Sequence, residues 1–157
     1  MNGLALSLLA ETEAAHAVAC HLSSATEEAR EVFEDACQCV GSLLPLYQAY
    51  EHLRAAESMR RLRLSSCASH LAEGVRCGAV CGRIGAVNMH LYTLAHQAPY
   101  LAAARAALYL VCDDLPELAT LRDAYEARRS AEAEADARVD TALRRAVVVL
   151  CQPQPIH

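Results

Sequence analysis

The chain contains no lysine: all fourteen of its basic residues are arginine. Without a side-chain amine there is no group for Schiff-base formation or lysine acylation, and no lysine for a phosphate-binding loop of the Gly-x-x-x-x-Gly-Lys type. Tryptophan is also missing and phenylalanine occurs once. No basic residue precedes Arg30, so the apolar opening "MNGLALSLLA" lacks the positive n-region of a secretory signal. With a net charge of -5 there is no basic excess for general nucleic-acid binding. The eight cysteines, in a chain without an export signal, are expected to be reduced thiols in a cytoplasmic protein. Charge is missing locally from Ile84 to Ala104, but Asn88, His90, His96, Gln97 and Pro99 interrupt that run as a membrane span. "AVVVLC" (Ala146 to Cys151) is too short for an anchor.

Strand-like alternation bounded by turns is absent as well, and almost every apolar residue recurs at helical spacing. Leu4, Leu8, Ala15, Val18 and Leu22 mark a first helix. Ser24 and Glu27 form a capping-box pattern ahead of a second, striped by Ala29, Val32, Phe33, Ala36, Cys37 and Val40 and ended by Gly41. Pro45 suits the first turn of a third helix, and a short one is expected from Ser66 to about Glu73. Val80, Ile84, Val87, Leu91 and Leu94 give a buried stripe over Ala79–His96, and Ala104, Leu108 and Val111 one over Tyr100–Cys112. "DDLPE" (Asp113 to Glu117) stops one helix and starts the next. Beyond it "RRSAEAEADAR" reads as a solvated face, and Val139, Leu143, Val147 and Leu150 return to the core. The expectation is an all-α fold: a single bundle of seven or eight helices over residues 1–151, around a central apolar hairpin, with 152–157 as a flexible tail.

Catalytic patterns are sparse. "EAAH" (Glu13 to His16) occurs once, whereas a di-iron carboxylate site needs two such motifs and two further glutamates. None of the seven histidines lies beside a nucleophile motif such as G-x-S-x-G. Cys77 and Cys81, four apart, would share a face on a helix, and Cys37 and Cys39 are two apart. Structural zinc requires two well-spaced ligand pairs, while free cysteine is among the most buried residue types. A thiolate-rich bundle binding copper or zinc stays an alternative; the favoured expectation is a non-enzymatic protein with no cofactor.

The stretch "GVRCGAVCGRIGA" holds glycines at 74, 78, 82 and 85. Glycine at every fourth position of a helix leaves a smooth strip that a second backbone can approach closely. Within it, "EGVRCGAVCGRI" (Glu73 to Ile84) resembles the first homology region of the Bcl-2 apoptosis regulators, E-L-F-R-D-G-V-N-W-G-R-I. Glu73, Arg76, Gly78, Gly82, Arg83 and Ile84 match, while Cys77, Val80 and Cys81 replace the aspartate, asparagine and tryptophan. "LRAAESM" (Leu53 to Met59) resembles the family's death-motif helix, with Glu57 and Ser58 in place of glycine and aspartate. "AALYLVCDDLPEL" (Ala106 to Leu118) is similar to the passage between its sixth and seventh helices. The short spacing and lost tryptophan motif look like a divergent viral member.

The resemblance implies a Bcl-2-like fold and a pro-survival function: sequestering the amphipathic death-motif helix of pro-apoptotic proteins in a hydrophobic groove. It implies that Arg83 pairs with the ligand's aspartate and that Gly82 lets the ligand backbone approach. Tyr50, Leu53, Leu71, Val75, Ala86 and His90 would line the groove. It further implies a cytoplasmic protein, peripheral at mitochondria. Such folds in some virus proteins bind signalling adaptors instead, and an internal carboxylate, Asp113 or Asp114, is the other partner open to Arg83. The smooth glycine face and uncharged hairpin also suit a homodimer.

Overall fold

The structure is a computed structural model that describes residues 2–21, 23–39 and 41–152. These form helices α1 (Asn2–His21), α2 (Ser23–Cys39), α3 (Leu44–Cys77), α4 (Cys81–Asp114) and α5 (Ala119–Cys151), with 3₁₀ turns at Gly41–Leu43 and Pro116–Leu118. The roles expected of Leu22, Val40 and the tail 153–157 lie outside the described residues, as do those of the Ser24, Ala29 and Ala36 side chains.

The fold is all-α, but its described helices number five and are longer than the seven or eight expected. The break expected near Ser66 does not occur, because one stripe runs through it. Leu53, Glu57, Leu64, Cys67, Ala68, Leu71, Ala72 and Val75 are all buried on the same side of α3. Serine is only mildly unfavourable inside a helix, so that stripe carries the helix past Ser65 and Ser66. The hairpin expected over Ala79–His96 and Tyr100–Cys112 is likewise a single helix, with Pro99 inside it. Proline there costs about 3 kcal/mol relative to alanine and leaves the Ala95 carbonyl without its helical donor. Leu91, Leu94 and Leu108 stay buried on the same side across the proline. The Arg60 guanidinium of α3 also donates to the Leu94 carbonyl beside it.

Helices α3, α4 and α5, each of 33 or 34 residues, form three columns about 50 Å long. The fourth column is divided between α1 and α2, which pack on α3 and α5. Each covers a separate apolar cluster. With α1, Leu8 and Ala15 meet Leu64, Leu71, Val87, Leu91, Val139 and Leu143. With α2, Phe33 and Cys37 meet Tyr50, Leu53, Leu108, Leu121 and Tyr125. The second cluster is aromatic: Tyr50 lies edge-on to both Phe33 and Tyr125, with ring centroids 5.9 and 6.0 Å away.

Three local expectations are corrected. Val32, Ala104 and Val111 lie outside the buried stripes, on the exposed sides of α2 and α4. "RRSAEAEADAR" is not a purely solvated face, since Glu132 and Ala135 are buried within it. The apolar hairpin region is not central: α4 packs on α3 and only lightly on α5, whereas α5 touches every other helix. No helix among the described residues is long and apolar enough to cross a membrane.

Candidate functional site

The stretch that carried the candidate site is a helix–turn–helix junction and not one helix. Helix α3 ends at Cys77; Gly78 takes φ +72°, and the Ala79 N–H reaches back 2.9 Å to the Gly74 carbonyl. The first turn of α4 closes on the Val80 carbonyl, which accepts from the Arg83 and Ile84 amides at 3.0 and 3.1 Å. Gly78 is therefore the residue that makes the turn, because only glycine adopts this left-handed conformation at little cost. Cys77 and Cys81 consequently sit on two helices and do not share one face.

Close approach is required at one glycine only. A Cβ at Gly74 would lie 2.6 Å from Arg83 Cδ and 3.1 Å from the Ala79 carbonyl oxygen. Arg83 thus folds back over the bare backbone of α3, and its guanidinium donates to the His70 carbonyl at 2.9 Å. Gly82 and Gly85 face open space. Among the described residues no carboxylate forms an ion pair with Arg83, although Glu73 attracts it electrostatically; Asp113 pairs instead with Arg122 at 2.6 Å. Glu73 and Arg76, two of the motif's matched residues, pair with each other.

Beside Arg83 a shallow cleft of about 220 Å³ lies between α3 and α4, lined by Arg63, Ser66, Cys67, His70, Ala86 and His90. The structure therefore brings together Arg83, Ala86 and His90 of the expected groove. Leu71 and Val75 lie under the same end of the bundle, but both are buried in its core. Tyr50 and Leu53 do not join them: they belong to the aromatic cluster at the other end of α3. From Tyr50 to Val75 the helix rises about 37 Å.

Between the two apolar clusters lies a charged layer that periodicity did not reveal. Glu57 accepts from Tyr125 Oη at 2.6 Å, from Arg105 at 3.0 Å and from Arg54 at 2.8 Å. Glu132, the most buried charged residue described, accepts from Arg128 at 2.7 Å and Arg54 at 3.3 Å, and pairs with Arg61 at 2.6 Å. Burial pushes the Glu132 carboxyl up, but the hydrogen bond from Arg128 and the charges of Arg54 and Arg61 outweigh it and hold it below its ordinary range. Asp136 moves the other way, because burial exceeds the attraction of Arg61, 3.4 Å distant. Burial and the Glu57 carboxylate raise the Tyr125 phenol, which stays a donor. The layer opens into a cavity of about 540 Å³ between α3, α4 and α5, walled by Ala95, Ala98 and Ala102 on one side and Ala133 and Ala137 on the other. A spacing of 57, 61 on one helix and 128, 132, 136 on another was the available signal: like a core stripe, it advances by fours.

The thiols divide by location. Cys37, Cys67 and Cys112 are buried and burial raises each of them, while Cys39, Cys77, Cys81 and Cys151 are exposed. Cys37 donates to the Leu43 carbonyl at 3.4 Å, as a core thiol does. Among the described residues no three His, Cys, Asp or Glu side chains come together as a metal site. Comparison of the chain with protein-family models, with curated proteins and with solved structures finds no match.

Proposed function

We propose that the protein is a non-enzymatic, Bcl-2-like binding protein, which captures the amphipathic death-motif helix of a pro-apoptotic partner at the α3–α4 cleft. The observation that carries the reading is Arg83. It lies inside the Glu73–Ile84 motif and donates to the carbonyl of His70, a residue that lines this cleft; among the described residues no carboxylate hydrogen-bonds to it, and Glu73, which attracts it, is bonded to Arg76. A guanidinium in that setting keeps donors for an incoming aspartate and can meet it with two parallel hydrogen bonds. Gly74 supports the arrangement by letting the arginine lie flat against α3. Ala86 and His90 would then contact the ligand, whereas Leu71 and Val75 act as the core behind it and Tyr50 and Leu53, in the other cluster, take no part. The reading includes a cytoplasmic site of action, peripheral at mitochondria, and the compactness of a viral member.

Titration of a panel of death-motif peptides against the folded protein tests this directly. Micromolar binding is expected, and Arg83→Ala should weaken it by about 1.5–3 kcal/mol, the usual value of a charged hydrogen bond, or roughly 10- to 150-fold. Absence of binding by protein shown to be folded overturns the function. Unchanged affinity in Arg83→Ala removes the ion pair.

A further inference from the structure

Outside that cleft, α4 carries a second feature on its solvent side. Gly85, Met89, Tyr92, His96, Pro99, Ala103, Ala106 and Leu110 are all exposed and recur at alternating steps of four and three. That is the spacing of a helix–helix seam. It lies opposite the stripe of Val87, Leu91, Leu94 and Leu108 that packs inward. The only charged residue between Gly85 and Leu110 is Arg105, and its guanidinium turns inward to Glu57 at 3.0 Å. Met89, Tyr92 and Leu110 on the seam, and Tyr100 beside it, are 71, 73, 67 and 70% exposed. The rings form a ridge: Tyr92 stacks on His96 with centroids 6.1 Å apart, and His96 meets Tyr100 edge-on at 6.2 Å. Rings already held against one another lose less freedom when a partner arrives.

The order of residue sizes identifies the occupant. When the seam is laid antiparallel against itself, Gly85 falls opposite Leu110, Met89 opposite Ala106, Tyr92 opposite Ala103 and His96 opposite Pro99. Each large residue meets a smaller one at every level. Parallel pairing would set tyrosine on tyrosine and glycine on glycine, alternately crowded and empty. A two-fold axis between residues 97 and 98 generates the antiparallel arrangement, and such isologous contacts are the commonest in oligomers. It also opposes the helix macrodipoles, setting the positive end of one beside the negative end of the other. The seam is about 37 Å long. With two tyrosines able to bury about 150–250 Å² each, it offers on the order of 600 Å² per copy, and the pair reaches the roughly 1,200 Å² at which specific interfaces begin. A lipid surface is disfavoured, because interfacial helices carry lysine and arginine along their polar face and α4 has only Arg83 and Arg105. We propose that the protein forms a two-fold symmetric dimer through the outward seam of α4, antiparallel and centred between His96 and Pro99. The inference is independent of the Arg83 cleft, which lies on the neighbouring face of the helix.

Sedimentation equilibrium of the full chain under reducing conditions tests the proposal. A dimer with a dissociation constant of roughly 1–10 µM is expected, typical for an interface at the small end of the range. Tyr92→Glu places one carboxylate from each copy on the seam and should weaken the dimer at least about 30-fold. The residue is exposed, so circular dichroism should be unchanged. Adding Ala103→Arg to the same chain should restore the dimer, because residues 92 and 103 of opposite copies face each other. A wild-type chain still monomeric at about 100 µM overturns the proposal. So does a Tyr92→Glu dimer of undiminished strength, or a double variant that stays monomeric. Wild-type monomer that binds phosphatidylcholine–phosphatidylserine vesicles, with loss of binding in Tyr92→Glu, overturns it in favour of a lipid surface.

Discussion

Helices α4 and α5 have nearly equal length, 34 and 33 residues, and stand in the same bundle, yet they use opposite chemistry. Helix α4 has no charge from Ile84 to Ala104 and lies at the edge, with methionine and tyrosine side chains in solvent. Helix α5 is dense in arginine, aspartate and glutamate and touches every other helix. Mean hydropathy would place them the other way round. What decides is the arrangement of charges: α5 turns Glu132 inward, where Arg54, Arg61 and Arg128 surround it, sets Asp136 beside Arg61, and leaves charges such as Glu134 and Arg138 in solvent. A charged helix can be central when its inward charges are partnered, and an uncharged one can be peripheral when its outward face has something to meet.

The comparison breaks most sharply at Glu132. Glu132→Ala leaves three arginines facing one another without their shared carboxylate, and should lower unfolding free energy by about 3–5 kcal/mol in urea titration. Glu134→Ala, two residues away but 71% exposed with its Arg138 partner, should change stability by no more than about 0.5 kcal/mol. Equal effects would mean that the buried layer is not what fixes α5. The same site sets an acid limb. The folded Glu132 carboxyl lies below its ordinary value of 4.5, so its contribution is complete above that pH and is lost as the pH falls through the lower folded value. Asp136, raised by burial, works against it: its protonation favours the folded state on the acid side. Asp136→Asn should therefore steepen the acid limb, and Glu132→Ala should flatten it.

On α4 the substitutions should stabilise. Pro99→Ala restores the donor to the Ala95 carbonyl at an exposed position, and a gain of about 1–3 kcal/mol is expected by thermal denaturation. The smallest effect separates the glycines. Gly85→Ala, with open space around the new methyl group, should add about 0.5–1 kcal/mol. Gly74→Ala meets Arg83 Cδ at 2.6 Å and should destabilise by about 1 kcal/mol or more. If both behave alike, Arg83 does not lie against α3 as described.

How far the sequence discloses this arrangement depends on what each signal encodes. Val87, Leu91 and Leu94 were legible as core because helical period is a local property, and "DDLPE" was legible as a junction because proline and acidic caps act locally. Continuity through Ser65, Ser66 and Pro99 was not, since it rests on burial on both sides of a locally unfavourable residue. The Glu57–Glu132 layer was hidden for a different reason. Its residues are charged, so a hydropathy stripe omits them, although their spacing by fours matches their apolar neighbours. At the candidate site the motif marked Arg83 and the Gly78 turn lay within it. The close contact at Gly74 and the exposure of Gly82 depend on how α3 and α4 meet. Tyr50 and Leu53 failed to join Arg83 because α3 is one long rod, which keeps its two ends apart.

The division of the fourth column between α1 and α2 gives the molecule two lids in place of one wall. Each short helix covers a single apolar cluster, and the charged layer separates those clusters along the three long helices. Release of α1 would expose the Leu71–Leu143 cluster while Phe33 and Tyr50 stayed packed under α2, and the converse holds for α2. Amide protection should then fall into two independent sets at the ends of the bundle, with the guanidinium–carboxylate layer as the hinge line that neither opening crosses.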